Sequence, residues 1–285
     1  MFANVCLLAA ALVFSPEEAR KAYNAASNLV ANCTPRDAGT FSARCAAYHL
    51  LDAVNSTGAD AVLDRFDVST PCGKRQMTNV ESLFFVSDEA EWIVVLSHYD
   101  TKPGVDCPGA DDGASTSGIL VSLAGLLYDN RPEKCNVLLA WLDGEESMVA
   151  YGANDGLWGS RHLAKKLKKK GAKIRAVFCL DMLGGKDLVV SVPKNGHAGL
   201  RRVVAKVARH IEMADRVKQA SDIVTDDHVP FLEAGYRAVD LIGMSASRPR
   251  EYWHTPQDTM DNISEDSLLF AGRLITALLN GLMPE

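Results

Sequence analysis

The sequence predicts an α/β sandwich, with helices packed around a largely parallel β-sheet. Three observations carry this. Short β-rich apolar runs, such as NVLLAWL over 136–142 and IRAVFCL over 174–180, alternate with longer amphipathic stretches. With 285 residues, 47% hydrophobic and 23% charged, the chain has a globular composition and is long enough to bury a large core. Finally, a histidine or carboxylate directly follows several of the apolar runs, and in such sheets ligands bind beyond the carboxyl ends of the strands.

The elements follow in order. Ser15-Pro16-Glu17-Glu18 reads as a helix start, with proline at the first helical position and acids in the first turn. This predicts amphipathic helices over 16–32 and 38–55. MTNVESLFFV (77–86) and EWIVVLS (91–97) read as strands. A helix over 112–129 starts at an Asp-Gly turn, and 136–142 is a buried strand. The helix over 159–170 closes at Gly171, and its run Lys165, Lys166, Lys168, Lys169 and Lys170 forms a solvated face near the negative end of the helix dipole. Strands at 174–180 and 187–192 precede helices at 197–212 and near 229–234. A strand at 238–242 leads to a final helix over 264–282, capped by Ser264 with acids in its first turn. No repeat or long linker divides the chain, so 16–285 is expected to form a single domain.

Charge and composition limit the function. A net charge of −6 argues against a nucleic-acid partner. The apolar stretch NVCLLAAALVFS (4–15) resembles the core of a signal peptide, but no Lys or Arg precedes it. It is too short to span a bilayer as a helix, so no stable membrane insertion is expected. Residues 1–15 are therefore either a signal for export, periplasmic or secreted, or an apolar segment packed on the domain. Of the seven cysteines, Cys135 and Cys179 lie in apolar strands and read as buried thiols. Cys33 with Cys45, and Cys72 with Cys107, are candidate pairs whose connectivity the sequence leaves open.

Five scattered residues carry the chemistry: His98, Asp112, Glu146, Asp181 and His254. Imidazole with carboxylate suits zinc, and a carboxylate flanked by ligands on both sides suits a pair of ions. Asp100 follows His98 by two residues, on the same side of an extended chain, and can orient the imidazole. Asp111 and Asp112 stand among small residues that let backbone approach a metal, although either could instead cap the following helix. Asp143-Gly144-Glu145-Glu146 pairs one candidate ligand with a free carboxylate suited to acid–base work. Asp181 ends an apolar run, where an unpartnered carboxylate would be costly. His49, His162, His197 and His210 lie on helical stretches and read as structural or surface residues; His228 is placed as a candidate lining residue.

With these residues in view, the chain resembles the zinc aminopeptidase and glutaminyl cyclase superfamily from about residue 77 onward. HYD (98–100), GADDGAS (109–115), DGEE (143–146), LDM (180–182) and WHTPQDT (253–259) occur in that family's order and approximate spacing. The resemblance implies a three-layer α/β/α sandwich with a mixed, mostly parallel sheet, one or two zinc ions, and peptide or protein N-termini as substrates. Carried over by motif, one metal site would be Asp112, Glu146 and His254. A second would be His98, Asp181 and the shared Asp112, and Glu145 would be the general base. Cyclases convert N-terminal glutamine to pyroglutamate, whereas aminopeptidases hydrolyse the first peptide bond.

GLWGSRHLA after DGEE, Asp226-Asp227-His228 and Trp253 before His254 look like the cyclase branch. There, residues matching Glu145, Asp181 and Asp226 form a hydrogen-bonded acid network, and the tryptophan lines the glutamine pocket. GADDGAS looks like the aminopeptidase form, Tyr151 stands where animal cyclases tend to carry Trp, and the cysteine pair flanking their site is missing, with Ser97 at one of its positions. Cyclase-like chemistry is the favoured expectation, with Glu145, Asp181 and Asp226 catalytic and Trp253, Tyr151 and His228 against the substrate. Aminopeptidase action is the alternative. A metal-free binding module on the same fold is a remote third, which would require ligands that this chain retains to be lost.

Overall fold

The computed structural model describes residues 11–244 and 249–283. Eight strands form one mixed sheet in the order β1-β2-β4-β3-β5-β8-β6-β7. They are β1 (Ala61–Thr70), β2 (Gly73–Phe84), β3 (Trp92–His98), β4 (Asn136–Leu142), β5 (Ile174–Asp181), β6 (Val190–Val192), β7 (Val217–Gln219) and β8 (Ala238–Ile242). The central run β4-β3-β5-β8 is parallel, while β1, β2 and β6 pair antiparallel with neighbours. The mixed, three-layer α/β/α expectation holds.

Successive residues of a strand face opposite sides of the sheet, and the core divides accordingly. Ile93 and Val95 of β3 join one apolar layer with α1 (Pro16–Asn32), α2 (Phe41–Asn55), α3 (Thr116–Asp129), α5 (Ala198–His210) and α7 (Glu265–Leu282). Val94 and Leu96 join the other, with α4 (Trp158–Lys169) and α6 (His228–Glu233). This two-sided burial explains why β3, β4 and β5 read as unbroken apolar runs. Among the described residues, no helix is long and apolar enough to cross a membrane.

The start of α1 follows its sequence signal. The Ser15 hydroxyl accepts from the Glu17 and Glu18 N–H groups, and the Glu18 carboxylate accepts from Ser15 N–H at 3.2 Å. The apolar stretch before it falls partly outside the described residues. Its last part is folded: Phe14 is buried against Gly272, where any side chain would strike the phenyl ring at 2.2 Å. Asn280 on α7 clasps Leu12, accepting from its N–H at 3.0 Å and donating to its carbonyl at 2.9 Å.

Several boundaries differ from the sequence reading. The hairpin strand β1 was not foreseen. Helix α2 begins at Phe41 rather than 38, because the Thr40 hydroxyl caps it by accepting from Ala43 N–H. Helix α3 begins at Thr116 rather than 112, because residues 110–115 form a wide turn broken at Asp112 and at Gly113, whose φ is 96°. Strand β6 starts only at Val190, after Asp187 adopts a left-handed φ of 55°. Cys33, Cys45, Cys72, Cys107, Cys135 and Cys179 are all free thiols, so neither candidate cysteine pair is joined.

Candidate metal centre and catalytic pocket

The site is built on the carboxyl ends of the parallel strands. His98 is the last residue of β3, and its Nδ1 lies 3.2 Å from the Asp100 carbonyl and 3.5 Å from the Asp100 carboxylate. These contacts hold the ring so that Nε2 faces two carboxylates, Asp112 Oδ1 at 3.1 Å and Asp181 Oδ1 at 3.3 Å. The wide turn before α3 makes this approach possible. A Cβ at Gly113 would lie 3.1 Å from His98 Cε1, and its positive φ also favours glycine. Asp112 stands between both imidazoles, because its Oδ2 is 3.2 Å from His254 Nε2. Glu146 completes that second group, with Oε1 2.6 Å from His254 Nε2.

Two donor sets therefore form, His98-Asp112-Asp181 and Asp112-Glu146-His254, each with ligand atoms within 4.8 Å of one another. The assembly strongly favours positive charge. Burial opposes protonation of His254, yet Asp112 and Glu146 outweigh it and push its pKa up to about 9. Burial likewise disfavours charging His98, and Asp100, Asp112 and Asp181 raise it well above its ordinary range. A divalent cation satisfies the same demand, and nitrogen with carboxylate oxygen is a zinc donor set. The residues fit the metal that the motifs imply.

The supporting contacts are mostly backbone N–H groups donating to buried carboxylates. Asp100 accepts from Glu145 N–H at 3.0 Å and Glu146 N–H at 3.1 Å, so it fixes the acidic loop as well as His98. Asp111 does not face the donor sets. It accepts from Gly184 N–H at 2.8 Å and from the Tyr252 hydroxyl at 2.7 Å, pinning the turn to the loops after β5 and β8. Two groups escaped the sequence reading. Asp258 accepts from the N–H groups of Asp111 and Asp112 at 2.8 and 3.1 Å. Arg36, wholly buried, donates to the carbonyls of Tyr99, Pro108 and Gly109. Asp258 lay in plain view within the WHTPQDT motif, whereas nothing local marks Arg36.

A cavity of about 290 Å³ opens beside the donor sets, and its lining includes Asp112, Glu145, Glu146, Tyr151, Asp181, Asp226, Trp253 and His254, with apolar Ile223, Ile242 and Met244. The Trp253 and His254 rings lie 4.1 Å apart. Burial, then the Glu146 charge, drives Glu145 well above the usual carboxylate range. The Tyr151 hydroxyl donates to Glu145, 3.0 Å from each oxygen, and lies 3.4 Å from Glu146 Oε2. Lys102 Nζ is 3.3 Å from Glu146 Oε2, the nearby fixed cation.

One expectation needs correction, the place of His228. The acids Glu145, Asp181 and Asp226 share the cavity wall, and each also has a neighbour of its own. Glu145 binds Tyr151, Asp181 faces His98, and Asp226 Oδ1 accepts from the Cys179 thiol at 3.2 Å and from Asp227 N–H. His228 does not line the cavity. It is buried at the start of α6, where its Nε2 accepts from Asn195 Nδ2 at 3.1 Å. It stands two residues after Asp226, but α6 begins at His228 and its ring packs toward Asn195 instead.

Comparison with known proteins places these features. The model of a family described as Peptidase family M28 matches residues 79–279. The chain is 28% identical over 273 residues to a glutaminyl-peptide cyclotransferase of Drosophila melanogaster, covering 84% of this chain and 76% of that protein. A solved glutaminyl cyclase from an Acidobacteriales bacterium superposes with a TM-score of 0.86 over 99% of both chains, at 29% identity. Aminopeptidase YwaD of Bacillus subtilis (strain 168) is 32% identical over 194 residues, covering 65% of this chain and 40% of that protein.

Proposed function

The chain belongs to peptidase family M28, and from that membership we propose that it is a glutaminyl-peptide cyclotransferase, converting N-terminal glutamine to pyroglutamate with release of ammonia. The observation that carries this reading is the shared wall of the small cavity. Glu145 and Asp226 line it together with Trp253 and Tyr151, directly beside the Asp112-Glu146-His254 set.

Asp112, Glu146 and His254 would hold one zinc ion, and when bound it supplies Lewis acidity toward the γ-amide carbonyl of the substrate. The protein's own groups do the rest. Asp226 holds the α-amino group, and Trp253 and the Tyr151 ring pack on the glutamine side chain. Glu145 takes a proton from the α-amine as its nitrogen bonds the γ-carbonyl carbon. The same carboxyl returns that proton to the amide nitrogen as the carbon–nitrogen bond breaks and ammonia leaves. Asp181 shares the negative wall and steadies the proton on Glu145. The apolar residues 4–11, ahead of the docked Leu12 and Phe14, support export as the setting for such an enzyme, and peptide or protein N-termini are its substrates.

A second reading has its own observation. The His98-Asp112-Asp181 set is also complete, and two ions with Glu145 as base toward water would make an aminopeptidase. Zinc-loaded protein incubated with Gln-Ala-type and Leu-Ala-type peptides separates the two by mass spectrometry. Loss of ammonia from the glutamine peptide, with the leucine peptide intact, is the expected result. Release of the first residue would establish the aminopeptidase instead. E145Q should abolish turnover while retaining zinc; near-normal turnover would exclude Glu145 as the base.

A further inference from the structure

Beneath the pocket the sheet carries a carboxylate that the proposed reaction does not use. Asp240 lies mid-strand in β8, opposite Cys179 of β5 in the ladder, and is wholly buried. Its strand neighbours Val239 and Leu241 belong to the apolar core. Neither of its oxygens meets a donor. Yet one of its oxygens, the Cys179 sulfur and an Asp226 oxygen all lie within 4.8 Å of one another. Asp226 thus has two sides: an inner edge against Cys179 and Asp240, and an outer edge on the cavity.

An ionised carboxylate without a donor is too costly in a dry interior, and two carboxyl groups in contact there do not both ionise. Burial and the neighbouring Asp226 and Asp181 charges all push Asp240 the same way, well above the usual carboxylate range. A neutral carboxylic acid has an O–H to donate, and Asp226 is the acceptor beside it. The other side-chain donor on that edge is a thiol, which donates only weakly.

We propose that Asp240 is a positioning residue for Asp226: it keeps its proton, donates that O–H to the inner edge of Asp226, and so fixes the outer edge as an acceptor for the N–H of the substrate's α-amino group. This rests on the reading of Asp226 given above. It assigns a role to a residue that does not line the cavity. The arrangement follows the general rule that paired buried carboxyls take opposite protonation states, one donating and one accepting.

The test uses zinc-loaded wild type, D226N, D240N and D240L. In D240N the amide N–H replaces the carboxyl O–H, so KM for a Gln-Ala-type peptide should stay near that of wild type. In D240L the donor is gone, and KM should rise about tenfold or more while kcat changes less, the loss expected for a hydrogen bond to a charged group. Infrared difference spectra of wild type minus D240N, at neutral pH, should show the carbonyl band of one protonated carboxyl group. That measurement needs no activity and stands even if D240L fails to fold. A folded D240L with wild-type KM, a D240N as impaired as D240L, or a difference spectrum without that band would overturn the proposal. The D226N arm separates the failures. An impaired D226N beside an unimpaired D240L removes only the part given to Asp240, whereas a wild-type KM in D226N defeats the reading of Asp226 and this proposal with it.

Discussion

Tyr151 is the one pocket side chain whose ring and hydroxyl have separable duties. The ring lies on the cavity wall, while the hydroxyl rests against both oxygens of Glu145. A base must be ionised to take a proton, and a donated hydrogen bond favours that form against the burial that opposes it. Y151F keeps the ring and deletes the donor. Its kcat should fall about tenfold or more, with KM and zinc content unchanged, because hydrogen bonds to charged groups are worth about 1.5–3 kcal/mol. A wild-type kcat would reduce Tyr151 to packing alone. At this scale the sequence was a good guide to which side chains converge, because His98 and Asp181 end apolar strands and Asp112, Glu146 and His254 stand out by type. It was a poor guide to Arg36 and to what Asp258 does, because both act on backbone groups far along the chain. The Asp258 carboxylate caps N–H groups 147 and 146 residues away, and no local pattern encodes that pairing.

Strands were legible where both faces are buried and obscure where charges interrupt them. β4 is buried at every position and reads as a strand from composition alone. β1 carries Asp64, Arg65 and Asp67 among its apolar residues, and its pattern alternates poorly. Those charges make sense only in three dimensions. Asp64 accepts from Lys166 Nζ at 2.6 Å and lies 3.0 Å from His162 Nε2, both on α4, and Lys166 also reaches Glu81 on β2. His162, read as structural, is structural in this way, and its ring stacks on Phe66 at 4.2 Å. The end of β4 is tied differently. Asp143 accepts from Thr78 N–H at 2.9 Å, joining β4 to β2, and burial with the Asp100 charge pushes its pKa up to about 8. An unfolded aspartate titrates near 3.9, so the folded state holds this proton across the interval between. The contribution to stability is therefore complete below about pH 4 and is lost as pH rises toward 8, with a slope of up to about 1.4 kcal/mol per pH unit. D143N removes that slope and retains an acceptor for Thr78. Thermal melts of both proteins from pH 5 to about 8 should show the wild type losing stability faster. Parallel melting curves would mean that Asp143 stays ionised throughout.

For the molecule as a whole, the site is a concentration of negative charge set at the ends of four parallel strands. Asp112, Glu145, Glu146, Asp181 and Asp226 line one cavity of about 290 Å³. A bound cation should therefore stabilise the entire fold as well as the pocket. Free zinc at a hundred times its dissociation constant is expected to add about 2.7 kcal/mol, seen as a higher melting temperature that chelation reverses. A melting curve indifferent to zinc and chelator would argue against a metal in these donor sets. The layered architecture was legible from the alternation of runs, whereas the antiparallel edge was not, because β1 and β2 pair through a hairpin whose register no periodicity announces. One long-range contact bears on how the protein is made. Asn280 holds Leu12, and Gly272 leaves the space that Phe14 fills, so the segment before α1 docks on the final helix. Chains emerge from the ribosome in order, and α7 emerges after all the other described elements. Until then Leu12 and Phe14 lack the α7 surface that buries them, and during synthesis they are open to a targeting factor that reads such a stretch.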